Sequence, residues 1–234
     1  MEERDIRALH RAVGLSDLAT LTAASFEFPT AGLAAALGDG AFLDDWRASA
    51  LDACEELSPA DESLIAACDK AFRDEQADEE SLRREYSRMF LTPGAHVPVW
   101  PYESCFRHRA SGAHGAPSLF RSPVALAVER CMHEAGVATV DEHREPGDSI
   151  FRELQFLAYL HAHEAEAIRV GDVQARALWS GRIVEFAADH ALAWMPGFME
   201  QTAVNTLIEP YRCFARLAMR YLDELDRLVR DERR

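Results

Sequence analysis

The sequence predicts an all-α fold, and three observations carry that expectation. Apolar residues recur at three- and four-residue steps along most of the chain. No stretch alternates with period two between hairpin turns, so no sheet is expected. Proline, glycine and Ser/Asp punctuation falls at intervals that suit helices, and no internal repeat period is evident. The expected architecture is a single globular bundle of about nine to ten helices covering residues 1–234.

Ile6, Leu9, Val13, Leu18 and Leu21 mark a first helix. Pro29 and the Gly38-Asp39-Gly40 turn follow it, and Phe42, Leu43, Trp46, Ala50 and Leu57 mark the next apolar face. Ser58-Pro59-Ala60-Asp61 reads as cap, proline in the first turn and an acid to follow, opening a helix with Leu64, Ile65, Cys68, Ala71 and Phe72. Leu82, Tyr86, Met89 and Phe90 define another. The character changes at Thr92-Pro93-Gly94, with further prolines at 98 and 101. Residues 107–117 hold few groups to bury and are expected as a mobile loop. Helices are expected to resume after Ser122-Pro123, Glu145-Pro146 and Gly171-Asp172, and Pro196-Gly197 to interrupt one. An amphipathic helix with Tyr211, Phe214, Leu217, Tyr221, Leu222 and Leu225 closes the chain.

Composition excludes several classes. Formal net charge is −15, and residues 39–80 hold 14 acids against Arg47, Lys70 and Arg73. Nucleic acid is therefore disfavoured as a partner, because binding needs cations to replace phosphate counterions. The acidic segment reads as a solvated face, with steering of a basic partner as the alternative. No run is long and apolar enough for a membrane span, and the acidic start lacks an export signal, so a cytosolic location is expected. The five cysteines form no C-x-x-C pair and are expected reduced and mostly buried.

Enzyme signatures are scarce. Phosphate-loop, dinucleotide and nucleophile-elbow motifs are missing, and Lys70 is the lone lysine. His161-Ala162-His163-Glu164 is the best metal candidate, yet positions i and i+2 of a helix point about 200° apart. Glu129 and His133, at i and i+4, could share an ion. Both sets are expected to be surface polar residues, with no metal and no cofactor.

Two motifs demand more. In EPGDSIFRELQFL, residues 145–157, Pro146 suits a first helical position and Asp148 a first turn, with Arg152 four residues on as an ion-pair partner. Glu153 falls on the shoulder of the apolar face, about 60° from Ile150. A half-buried carboxylate there needs a partner, supplied either internally or by a ligand. The second motif places Trp100, Pro101 and Tyr102 in a loop before Glu103-Ser104. It reads either as a peptide-binding surface or as a loop folded onto the core.

Tyr86-x-x-Met89-Phe90-x-x-Pro93, Pro101-Tyr102-Glu103-Ser104, Glu145-Pro146-x-Asp148 and Glu153-Leu154-x-Phe156-Leu157 occur in order and at the spacing of the TorD/DmsD/NarJ-type chaperones. The chain resembles that family from about Leu15 to Leu225, including His190-x-x-x-Trp194-x-Pro196 and Tyr211. The resemblance implies a TorD-like, cytoplasmic maturation chaperone for a molybdoenzyme subunit. It would bind the client's twin-arginine leader until cofactor insertion, without a prosthetic group and without catalysis. Family binding determinants fall on Met89, Phe90, Pro101, Tyr102, Ser104 and Asp148. Two departures mark a different client or weaker leader binding: the usual EPDDH is EPGDS here, and the usual double proline is Trp100-Pro101.

The expected site is an apolar trough lined by Trp100, Tyr102, Phe156 and neighbouring aliphatics, with Glu145, Asp148 and Glu153 facing the arginines and Glu103 among the leader-binding residues. Alternatives are a chaperone that holds mainly the mature part of the client, and a helical metal-binding protein or enzyme. A break near 145–148 would also permit a helix-exchanged homodimer in place of a monomer.

Overall fold

The computed structural model describes residues 2–73, 77–92, 97–112, 122–137 and 146–233. Eleven α-helices run through them: α1 (Glu3–Phe26), α2 (Ala31–Asp39), α3 (Ala41–Cys54), α4 (Pro59–Arg73), α5 (Glu79–Phe90), α6 (Glu103–Ala110), α7 (Pro123–Glu134), α8 (Ile150–Val170), α9 (Val173–Phe186), α10 (Leu192–Asn205) and α11 (Glu209–Glu232). A π-helical turn, Ala187–Ala191, joins α9 to α10, so these form one unbroken rod and the bundle has ten rods. The β-structure among the described residues is a single bridge between Tyr102 and Ser149.

Local chemistry sets most helix starts. Thr30, Asp78, Ser122 and Asp172 each accept a backbone N–H of the following first turn. The Ser58–Asp61 pair is reciprocal: Asp61 N–H donates to Ser58 Oγ at 3.2 Å, and Ser58 N–H donates to Asp61 Oδ2 at 2.9 Å. Arg220 of α11 donates to the other Asp61 oxygen at 2.6 Å, so this cap also ties α4 to α11. Gly171, at φ +73°, ends α8 in the left-handed conformation that glycine adopts without penalty.

One continuous core joins the helices. It includes Leu15, Leu18 and Phe26 of α1, Trp46 of α3, Leu154 and Leu157 of α8, Trp194 and Phe198 of α10, and Tyr211, Phe214 and Tyr221 of α11. Phe26, Phe90 and Phe198 pack ring against ring, at centroid distances from 5.4 to 6.4 Å. Ile6 and Val13, read as apolar positions of α1, are exposed; Ala12, Leu15 and Leu18 carry its packing instead.

Three expectations about elements need correction. The segment expected as a loop from residue 107 is helical through Ala110, since α6 buries Cys105 and Phe106 and carries Arg107 and Arg109 outward; residues 113–117 lie outside the described residues. Pro196 does not interrupt its helix. It sits inside α10, and the irregularity falls one turn earlier, in the π-helical turn. Pro146 does not begin α8. That helix starts at Ile150 after Ser149, so Asp148 precedes the helix rather than lying in its first turn.

Candidate functional site

The two motifs meet. Glu103 N–H donates to the Asp148 carbonyl at 2.9 Å, and Ile150 N–H donates to the Pro101 carbonyl at 2.8 Å, on either side of the Tyr102–Ser149 bridge. Tyr102, at the N-cap of α6, provides no side-chain cap. Asp148 Oδ2 supplies it from outside, accepting Ser104 N–H at 2.9 Å. Two of the orphan amides that open α6 are thus satisfied by one residue of another segment. We call this junction of 101–104 with 146–150 the clasp.

Behind the clasp lies a cluster of three carboxyls. Glu103, Asp148 and Glu153 are each 0% exposed. Glu103 Oε1 accepts Arg107 Nη1 at 2.6 Å, and Glu103 Oε2 lies 2.8 Å from His190 Nδ1. Glu153 Oε2 accepts the Trp194 indole N–H at 3.0 Å. Asp148 Oδ1 and Glu153 Oε1 have no hydrogen-bond partner among the described residues.

The electrostatics follow from this crowding. Burial, then the charge of Glu103, pushes the Glu153 carboxyl well above the ordinary carboxylate range, so it stays neutral. Burial also raises Asp148, against the lowering effect of the Ser104 hydrogen bonds. For His190 burial alone would lower the pKa, but hydrogen bonds to Cys131 and Glu103 outweigh it and raise it to about 9. The cluster therefore balances the Glu103 charge against Arg107 and protonated His190. The π-helical turn carries His190, and Trp194 follows four residues later, so both reach the one cluster, His190 at Glu103 and Trp194 at Glu153.

The expected trough needs revision. Asp148 turns its carboxylate inward to Ser104, not outward to Arg152 or to a ligand. Glu153 is not half-buried but sealed, and its partner is internal, although a tryptophan rather than an arginine or tyrosine. Met89, Phe90, Pro101, Glu103, Ser104 and Phe156 are buried as well. Met89 and Phe90 belong to the core because α5 lays its apolar face against α1, α10 and α11. Glu145 lies outside the described residues, as does Pro93. Among the described residues of the expected site, Trp100 and Tyr102 alone are partly exposed. Trp100 edges a cavity of about 220 Å³ shared with Pro98, Phe106, Arg109, Ala110 and Gln201, and its indole N–H has no partner among the described residues.

Sequence reasoning missed Arg107 as a partner and left His190 and Trp194 as pattern matches only. Their i, i+4 spacing on one helix was the available signal; the π-helical turn that aims His190 has none. The metal candidates are also reassigned. His161 is fully buried rather than a surface residue, and His163 stacks on Trp179 at 4.5 Å. No group of three or more His, Cys, Asp or Glu among the described residues is arranged to hold a metal ion.

Compared with known families, residues 54–200, more than half of the chain, match the nitrate reductase delta subunit family. The chain belongs to the nitrate reductase delta subunit family. The matched span holds the whole clasp and the whole carboxyl cluster. Members are chaperones of molybdoenzyme maturation rather than catalysts, in keeping with the resemblance read from the motifs. Comparison with curated proteins returns no match. No helix among the described residues is long and apolar enough to cross a membrane.

Proposed function

We propose that this delta-family chaperone acts in the cytoplasm, binding the twin-arginine leader of a molybdenum-containing oxidoreductase subunit and holding the subunit until its cofactor is inserted. Family membership over residues 54–200 is the observation that carries the reading. Exposed apolar residues at the end of α5 and in the α10–α11 region support it. Arg88 of α5 donates to the Asn205 carbonyl at 2.6 Å, which sets the end of α5 against the α10–α11 connection. Leu91, Val204 and Leu207 there are 50%, 82% and 71% exposed. With Trp100 and the adjoining cavity they offer apolar surface for the helical stretch of a leader.

In this reading the clasp acids do not meet the leader arginines while the clasp is closed. Glu103 and Asp148 become available only if 146–150 parts from 101–104, and the frame they hold is what positions Trp100 and Tyr102. Their burial equally favours a second reading, in which the chaperone grips an apolar segment of the mature client.

Calorimetric titration with the client's leader peptide separates the two. Trp100→Ala should weaken binding at least tenfold while the melting temperature stays put. A leader that binds Trp100→Ala and wild type alike removes the proposed surface. A leader-deleted client that copurifies in full yield establishes the second reading in its place.

A further inference from the structure

A cavity of about 550 Å³ lies where α1, α3, α8, α9 and α11 meet. That volume falls in the range of ligand pockets. Ile168 in its lining is about 22 Å along α8 from Glu153, so the cavity is remote from the clasp. Its apolar lining includes Leu15, Ala53, Ile168 and Leu228, all buried. Ile6 and Leu51 also line it, yet they are exposed.

Charges of both signs face the cavity and fall into two sets. One set is paired. His10 Nδ1 lies 2.7 Å from Asp52 Oδ1, Arg176 Nη1 lies 3.8 Å from Asp5 Oδ1, and Glu164 Oε2 lies 3.8 Å from Nδ1 of buried His161. The other set is unpaired. Arg7 and Arg11 of α1, Glu55 at the end of α3 and Glu232 at the end of α11 make no side-chain hydrogen bond or ion pair among the described residues. Arg7 and Arg11 are four residues apart on one helix face, so both guanidinium groups can serve a single carboxylate.

Unpaired charges at a protein surface are ordinarily just solvated. Glu55 argues against that reading here. It ends α3 at φ +66° and is the one residue other than glycine with positive φ among the described residues. Such a helix end favours glycine. A carboxylate at a helix C-terminus also opposes the helix dipole. Two local penalties thus fall on a side chain that lines the cavity and has no partner in the chain. Backbone strain of this kind clusters at binding sites.

We propose that the cavity binds a segment of a polypeptide chain that carries one acidic and one basic side chain about an apolar body. Arg7 and Arg11 take the acid, Glu55 and Glu232 take the basic group, and the apolar part covers Leu15, Ile168 and Leu228. Charge complementarity sets the class. An anion alone leaves two acids unmatched, and a cation alone leaves two arginines unmatched. A small zwitterion such as a free amino acid leaves the apolar lining bare.

The test is calorimetry on the whole protein with capped peptides in which one Glu and one Arg are separated by one, two or three leucines. The best of them should bind at least tenfold tighter than its counterparts with Gln in place of Glu or of Arg. Equal affinity for that peptide and its counterparts overturns the proposal, as does no binding by any of the three at millimolar concentration. Free arginine that binds as tightly as the best peptide also overturns it, because a small zwitterion then suffices. Glu55→Gly should melt at a higher temperature, since glycine adopts that φ freely, and should lose at least fivefold in affinity for the best peptide. A Glu55→Gly protein that melts no higher, or that binds the peptide like wild type, sinks the inference. The peptides hold no arginine pair, and Trp100→Ala should bind them as wild type does, so this outcome is separate from that of the proposed function.

Discussion

Asp148 serves two amides of a helix to which it does not belong. Its carbonyl takes Glu103 N–H and its carboxylate takes Ser104 N–H. Removing a cap acceptor costs about 1–2 kcal/mol. Asp148→Ala should lose that much in urea denaturation, whereas Asp148→Asn keeps an oxygen for Ser104 and should lose less than half of it. The pair therefore separates framework from charge: any loss of leader affinity in Asp148→Asn beyond its small stability change belongs to the negative charge. Gly147 has its own reason. A Cβ there would fall 2.9 Å from Glu129 Cγ, so in this chain the α7 side chain occupies that space.

Helix α1 crosses α3 at Gly14, and the approach leaves no room for a side chain. A Cβ at Gly14 would sit 2.5 Å from both Ser49 O and Ala53 N, which are backbone atoms and cannot rotate away. Gly14→Ala gains about 1 kcal/mol in helix propensity, but the forced separation of two helices costs more. The expected outcome is a net loss of about 2 kcal/mol, read as a lower denaturation midpoint. Gly197 plays a milder version of this role, with its missing Cβ 3.1 Å from the Phe106 ring.

Elements of this kind were legible in part. The spacing of Leu154, Phe156, Leu157 and the α11 residues gives helices directly, because burying one face of a rod imposes that spacing. The caps at Ser58, Ser122 and Asp172 were equally local. What could not be read was any effect of a distant segment. Asp148 looks like a first-turn acid of its own helix because sequence shows its neighbours, not Ser104. Glu153 looks half-buried because a helical wheel knows nothing of Trp194. The π-helical turn that carries His190 has no local signal, and Pro196, the visible breaker, sits inside α10.

At the scale of the molecule, pH acts through two opposed sets of groups. His190 is raised from 6.5 to about 9, so its contribution is fully present below pH 6.5 and is lost as pH rises through 9. Glu153 works in the same direction: raised by burial, it keeps a proton that the unfolded chain gives up above about 4.5. Asp61 and Glu85 are the reverse. Burial alone would raise both, but Ser58 and Arg220 lower Asp61, while Arg88, Leu207 N–H and Thr206 lower Glu85. Their stability is present above the ordinary carboxylate range and lost as pH falls below it. Melting temperature should therefore peak on the acid side of neutrality and fall by pH 9, with at most about 3 kcal/mol of the alkaline loss due to His190. His190→Gln should flatten that alkaline limb, and an unchanged limb would remove the cluster as its source.

The bridge between Tyr102 and Ser149 joins parts of the chain more than forty residues apart. A helix as short as α6 does not hold in water by itself, and its opening turn is complete only once residues 146–150 arrive. Assembly order follows: the far segment must be seated first, and the short helix then nucleates on it. Hydrogen–deuterium exchange would display this as shared timing, the amides of Glu103, Ser104 and Ile150 becoming labelled together rather than with the helices each adjoins.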